Sequence, residues 1–209
     1  MPEAHEAAQE AAEQSEEGHH LAGLNKKVAL LIAVLALCLS FSETLGKSSQ
    51  TEAISENVRS SDLWAFFQAK TIRATQLRVG ADTMAVDTIA ATDPALKAAQ
   101  QKQIDDWRKT ADRYDSEPST GEGRKELAEK AKEAEEKRDH ALARYHNFEI
   151  ASAAFQIAIV LASATVITGM IALTYLAGLL GLCGLFFTAV GLFSPHLIHT
   201  ILGLFGGGH

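Results

Sequence analysis

Few side chains in this 209-residue chain have the type and spacing to do chemistry. Glu43 follows the apolar run Val28–Leu39, and Gln156 lies in a block from Ala151 onward that contains no Asp, Glu, Lys or Arg. An acid or amide in such surroundings is the kind of group that handles an ion or a proton in a bilayer; for Glu43, exposure at the interface is the plainer reading. His196 and His199 stand at i and i+3, but no carboxylate or Cys accompanies them, so no metal site is expected. Cys38 and Cys183 fall in apolar segments without partners at metal spacing and read as small hydrophobes. There is no Gly-rich phosphate loop after a strand, no nucleophile motif and no paired-His zinc helix. The acids of runs such as Glu133–Asp139 alternate with bases, as on a solvated helix face. The expectation is a protein that is not an enzyme and needs no cofactor or metal.

The elements holding these residues follow from how charge and hydrophobicity are segregated. The composition, 47% hydrophobic and 22% charged, would suit a globular protein, yet residues 151–209 carry no charged side chain. A soluble fold would need a polar surface over that length. A bilayer takes about 20 apolar residues per helical span, so the chain reads as all-α with three transmembrane helices at 27–45, 150–174 and 176–193. The first is short: 15 residues from Val28 to Ser42 cover about 22 Å of a core about 30 Å thick. Lys26 and Lys27 ahead of this run resemble a signal peptide. However, a long acidic segment precedes them and Ser40-Phe41-Ser42-Glu43 is a poor cleavage site, so a retained anchor is expected.

Residues 1–25 alternate Ala and Glu with no Lys or Arg and read as an acidic disordered tail. Residues 46–149 hold 17 bases against 19 acids. So dense and balanced a charge suits ion-paired helices and argues against nucleic acid as a partner. Helices are expected at about 47–90, 94–115 and 124–149, the last running without a breaker into the second span to Thr174. On the first, Ile54, Val58, Ser61, Ala65, Gln68, Ile72, Thr75, Val79, Asp82, Val86 and Ile89 follow 4-3 spacing, a heptad seam interrupted by polar residues. Leu96, Gln100, Ile104, Trp107, Ala111 and Tyr114 line the second helix. Leu127, Ala131, Ala134, Arg138, Ala141, Tyr145 and Phe148 line the third, with Ser152 and Phe155 in phase. An extramembrane, antiparallel, coiled-coil-like stalk is expected, with Trp64, Phe66 and Phe67 at its tightest packing. In the spans, Ala154, Ala158 and Ala162, then Ala177 and Gly181, then Gly184, Thr188 and Gly191, offer small faces for helix contact. Residues 195–205, opening on Pro195, read as an interfacial helix.

The run Ser61-Asp62-Leu63-Trp64-Ala65-Phe66-Phe67-Gln68-Ala69-Lys70 just after the first span resembles the signature of a bacterial family known only as a domain of unknown function. The order of parts and the acidic, His-containing tail agree with it. The resemblance implies a small multi-pass protein of the bacterial inner membrane and directs attention to Trp64, Phe67, Gln68 and Lys70, whose plainest role is packing or self-association.

The expected function is a homo-oligomeric structural assembly in the lipid bilayer, held through spans and stalk. An oligomeric channel or transporter hooked on Gln156 and Glu43, and an adaptor recruiting a protein through the acidic tail, are the alternatives. Lys26 and Lys27 argue for a cytoplasmic N-terminal side, and Lys47, Arg59, Lys137, Arg138 and Arg144 for a cytoplasmic stalk; the balance leans to the stalk, whose length exceeds what the positive-inside rule covers.

Overall fold

The computed structural model describes the backbone of residues 3–195 and the side chains of residues 25–195. It is all-helical: α1 (Glu3–Ala90), α2 (Pro94–Asp115), α3 (Arg124–Thr168) and α4 (Ile171–Phe193), with no strand among the described residues. α1 runs 88 residues because no proline interrupts it between Glu3 and Ala90. At Thr92-Asp93-Pro94 the chain turns. Asp93 accepts a hydrogen bond from the Ala95 N–H at 2.9 Å, with Pro94 at the first helical position.

α1 continues through residues 3–25, the segment read as an acidic tail, since an Ala- and Glu-rich stretch extends an existing helix without a new nucleation cost. One boundary differs from expectation. The second span ends at Thr168 rather than Thr174. Gly169 takes φ +70°, a conformation open to glycine, and its N–H bonds to the Thr165 carbonyl at 2.8 Å. The turn is therefore Gly169-Met170, and residues 171–174 open α4. Thr174 donates to Thr165 across that turn at 3.1 Å. Of the expected interfacial segment 195–205, only Pro195 lies within the described residues; His196 and His199 lie outside them.

The chain divides into two units. One comprises residues up to Thr51 and from His140 onward; the other is Glu52–Asp139. α1, α3 and α4 are each long and apolar enough to cross a membrane. In the first unit, parts of α1 and α3 pack with α4 around Val28, Leu35, Ala151, Phe155, Ala158, Ala162 and Ala177. Leu30, Leu37, Val160, Ile167, Leu179 and Leu182 point outward, leaving an apolar surface on these helices. The second unit packs Ala53, Ser60, Ala74 and Ala81 of α1 with Ile104 and Ala111 of α2 and Leu127, Ala131 and Ala134 of α3.

The seam of α3 is as expected: Leu127, Ala131, Ala134, Arg138, Ala141, Tyr145, Phe148, Ser152 and Phe155 are all buried or half-buried. So is that of α2, except that Leu96 is exposed. The seam of α1 is not. Every residue of the expected series, Ile54 through Ile89, is exposed. The buried face is a second 4-3 series in another phase, running Val28, Ile32, Leu35, Leu39, Ser42, Gly46, Ser49, Ala53, Glu56 and Ser60, and on through Lys70, Ala74 and Ala81 to Thr88, all buried or half-buried. Small Ser, Gly and Ala dominate its middle, so it lacks the branched side chains by which a core stripe is recognised.

Candidate functional site

Glu43 and Gln156, singled out separately in the sequence, meet in the first unit: the Gln156 Nε2 donates to Glu43 Oε1 at 3.3 Å. α1 and α3 run antiparallel at this point. Ser42, one residue from Glu43 and on the buried seam, donates its hydroxyl to the Phe148 carbonyl at 3.1 Å, and a Cβ on Gly46 would lie 3.4 Å from Phe148 Cβ. Small residues at 42, 46 and 49 let the two backbones come close.

Beside this contact lies a cleft of about 380 Å³. Glu43, Lys47 and Gln50 line it from α1; Tyr145, Glu149, Ser152 and Gln156 line it from α3, over a floor of Ser42, Gly46, Phe148 and Ala153. The Tyr145 hydroxyl donates to Glu149 at 3.4 Å, and His146 Nδ1 lies 3.6 Å from the same carboxylate. The cleft thus gathers two acids, one ammonium, three hydroxyls and two amides where the uncharged block begins. Its members sit about a hundred residues apart in sequence, so spacing alone does not reveal it.

The small faces expected in the spans are used inside the chain. Ala154, Ala158 and Ala162 are buried against the helices of the first unit. A Cβ on Gly181 would come within 2.7 Å of a Leu35 methyl, and one on Gly184 within 2.8 Å of the Phe155 ring. Near one end of α4, Asn147 donates to the Pro195 carbonyl at 3.0 Å and Phe148 fills the space over Gly191. Ser163 and Thr168 bond to their own helix, at Ile159 and Ala164, rather than across a contact.

The aromatic motif lies in the second unit and divides between two faces. Trp64 donates its indole N–H to Glu135 at 2.8 Å, and Phe67 stands edge-on to it, ring centroids 5.4 Å apart. Lys70, 5% exposed, places its ammonium 5.3 and 5.0 Å from the ring centroids of Phe66 and Tyr114, with Glu122 at 3.7 Å. Cation-π contact and ion pair together offset the loss of its water. Gln68 is exposed, on the outer series of α1. Nearby, Asp115 is held by Arg78 and, at 2.7 Å, by Arg124, whose guanidinium also covers Phe67 at 5.3 Å. Burial opposes ionisation of Asp115, but the two guanidinium groups prevail and hold its pKa below the ordinary carboxylate value. Arg78 is correspondingly raised, first by its hydrogen bond to Asp115. Glu122, Glu135, the Arg78–Asp115–Arg124 bridge and the approach of Tyr114 to Lys70 have no local sequence pattern, because the turns between helices bring them to the motif.

Among the described residues no group of three His, Cys, Asp or Glu side chains could hold a metal ion. Cys38 is half-buried and Cys183 exposed, both as free thiols. A family model described as a domain of unknown function, DUF4337, matches residues 24–194, and the chain belongs to that family. No curated protein and no solved structure matches it.

Proposed function

We propose that this member of the DUF4337 family is a non-enzymatic membrane protein that assembles with copies of itself through α1 into a structural scaffold. One observation carries this: the outer 4-3 series of α1 is exposed along its whole length. Val58, Ala65, Ile72, Val79 and Val86 recur every seven residues, flanked by Ile54 and Ile89, and the large ones are 54–83% exposed. A helix with one stripe buried inside the chain and a second apolar stripe facing out has two packing surfaces, and only one is used within the chain.

The residue types fit a pair of parallel helices. With Val58 at heptad position a, that position reads Val, Ala, Ile, Val, Val, four of five of them β-branched, as position a of a parallel pair prefers. Position d carries Ser61, Gln68, Thr75 and Asp82, which weaken the seam but pin its register. Asp82 would face its own copy, and Arg108 at 3.2 Å supplies the opposite charge. α1 also contains the first apolar run, so copies anchored in one bilayer enter the pair in the same direction.

Site-specific crosslinking tests the reading. In a background with Cys38 and Cys183 replaced by alanine, Val79→Cys should form an intermolecular disulfide on mild oxidation in membranes. Ala81→Cys, on the inner seam, should not. Absence of the Val79→Cys dimer, together with a monomeric mass in mild detergent, would remove the proposal.

A further inference from the structure

We propose that the cleft between α1 and α3 binds the headgroup of an aminophospholipid of the phosphatidylethanolamine class, its ammonium on Glu43 and Glu149 and its phosphate toward Lys47. The lining carries both signs with one negative charge in excess, which suits a zwitterion presented cation-first. Glu43 receives a hydrogen bond from the Gln156 amide, but an amide does not neutralise a carboxylate. Lys47, one turn along α1, is one cation against two carboxylates at the edge of the apolar block, and a primary ammonium supplies the missing charge and three N–H donors together. The second carboxylate and the hydroxyls of Tyr145 and Ser152 can take the remaining donors.

The level of the cleft selects a lipid over a free solute. Glu149 is the last charged residue of α3, and Gln156 lies seven residues further on, about 10 Å into the uncharged block. The cleft thus spans the depth at which headgroup gives way to acyl chain. Phe41 and Ile157, two residues from Glu43 and one from Gln156, are 56% and 53% exposed and offer apolar surface on the bilayer side. At about 380 Å³ the space is within the range of small-ligand sites, about 300–1,000 Å³. Phosphatidylcholine fills the same volume but has no N–H to donate; phosphatidylglycerol brings no cation to the two acids.

The full chain, reconstituted in nanodiscs with equal phosphatidylethanolamine, phosphatidylcholine and phosphatidylglycerol of matched acyl chains, is released into the mass spectrometer and its retained lipid counted. Phosphatidylethanolamine should be retained about tenfold over the other two, the factor expected for one charge-assisted hydrogen bond kept or lost. Stepwise N-methylation of the lipid should lower retention in wild-type protein, a series independent of any variant's folding. Glu43→Gln combined with Glu149→Gln should abolish the preference. Equal retention of the three classes, a preference untouched by N-methylation, or displacement by soluble glycerophosphoethanolamine as effective as by the lipid would overturn the assignment.

Discussion

Gly181 and Gly184 lie on the same face of α4 and meet different neighbours, which separates their tolerance to a single methyl group. At Gly181 the obstacle is a terminal methyl of Leu35, which can swing aside; at Gly184 it is three atoms of the Phe155 ring, itself fully buried. Gly184→Ala should therefore destabilise by about 1–3 kcal/mol, the usual cost of overpacking, and Gly181→Ala by less. Gly178→Ala, with nothing within 4 Å of the new Cβ, should be neutral or mildly stabilising. Thermal unfolding in detergent gives the ranking, and equal effects at 181 and 184 would contradict it. In the second unit, Asp115 has its pKa lowered on folding by Arg78 and Arg124, against its partial burial. The stability it contributes is present above the ordinary carboxylate pKa of about 4 and is lost as pH falls through the lowered folded value. Glu126, bonded first to Ser116, and Glu133, bonded first to Lys137, shift the same way. Acid should loosen the charged unit, and Asp115→Asn should flatten the acid limb of its stability profile, read by circular dichroism. Both residues of the Glu43–Gln156 contact were legible as polar groups at the edge of an apolar segment. Their contact was not, because nothing local encodes a pair 113 residues apart.

Element boundaries were legible where the side chains are distinctive. Asp93-Pro94 announces the start of α2, and Leu127, Tyr145 and Phe148 mark the buried face of α3 by size. Beyond the first apolar run α1 deceived because its true seam there is built mainly from Ser, Gly and Ala, while the branched residues of that stretch line the opposite phase. The small residues bring neighbouring helices close, and the branched ones are left facing outward. This division gives opposite expectations for two residues half a turn apart. Ile72→Lys combined with Val79→Lys should abolish assembly, seen as a fall in mass in detergent, with helix content and melting of the chain almost unchanged. Ala74→Leu, forced into a fully buried position, should destabilise the chain by about 1–3 kcal/mol. Dissociation by Ala74→Leu without loss of stability would mean the two seams have been exchanged. The α3–α4 turn was missed because Thr168-Gly169-Met170 lacks the polar cluster of a typical loop; its only sign is one glycine. Gly169→Ala should cost about 1–2 kcal/mol, the penalty of a left-handed conformation for a residue with a Cβ.

For the whole molecule, segregation of charge was the strongest signal: the average composition would suit a globular protein, and only the order of the residues sets the apolar segments apart. The side on which each part lies was not legible: Lys26 and Lys27 pull one way and the bases of residues 46–149 the other. The number of candidate spans constrains the answer more than the charges do. If all three helices cross, an odd number, residues before Asn25 and residues after Phe193 lie on opposite faces of the membrane. Residues 52–139 should share the face of those after Phe193. Cysteines introduced singly at Ser15 and Ser119, in a background without Cys38 and Cys183, should react with a membrane-impermeant maleimide from opposite sides of sealed vesicles. Labelling of both from one side would mean that the apolar run beginning at Val28 does not cross, and that α1 lies in the interface instead. The side that labels Ser119 also identifies the leaflet facing the cleft, since Glu43 and Glu149 stand at the ends of their apolar segments nearest residues 52–139. If it is the leaflet poorer in phosphatidylethanolamine, the cleft must draw its lipid by affinity rather than abundance, and the tenfold preference becomes a requirement for occupancy.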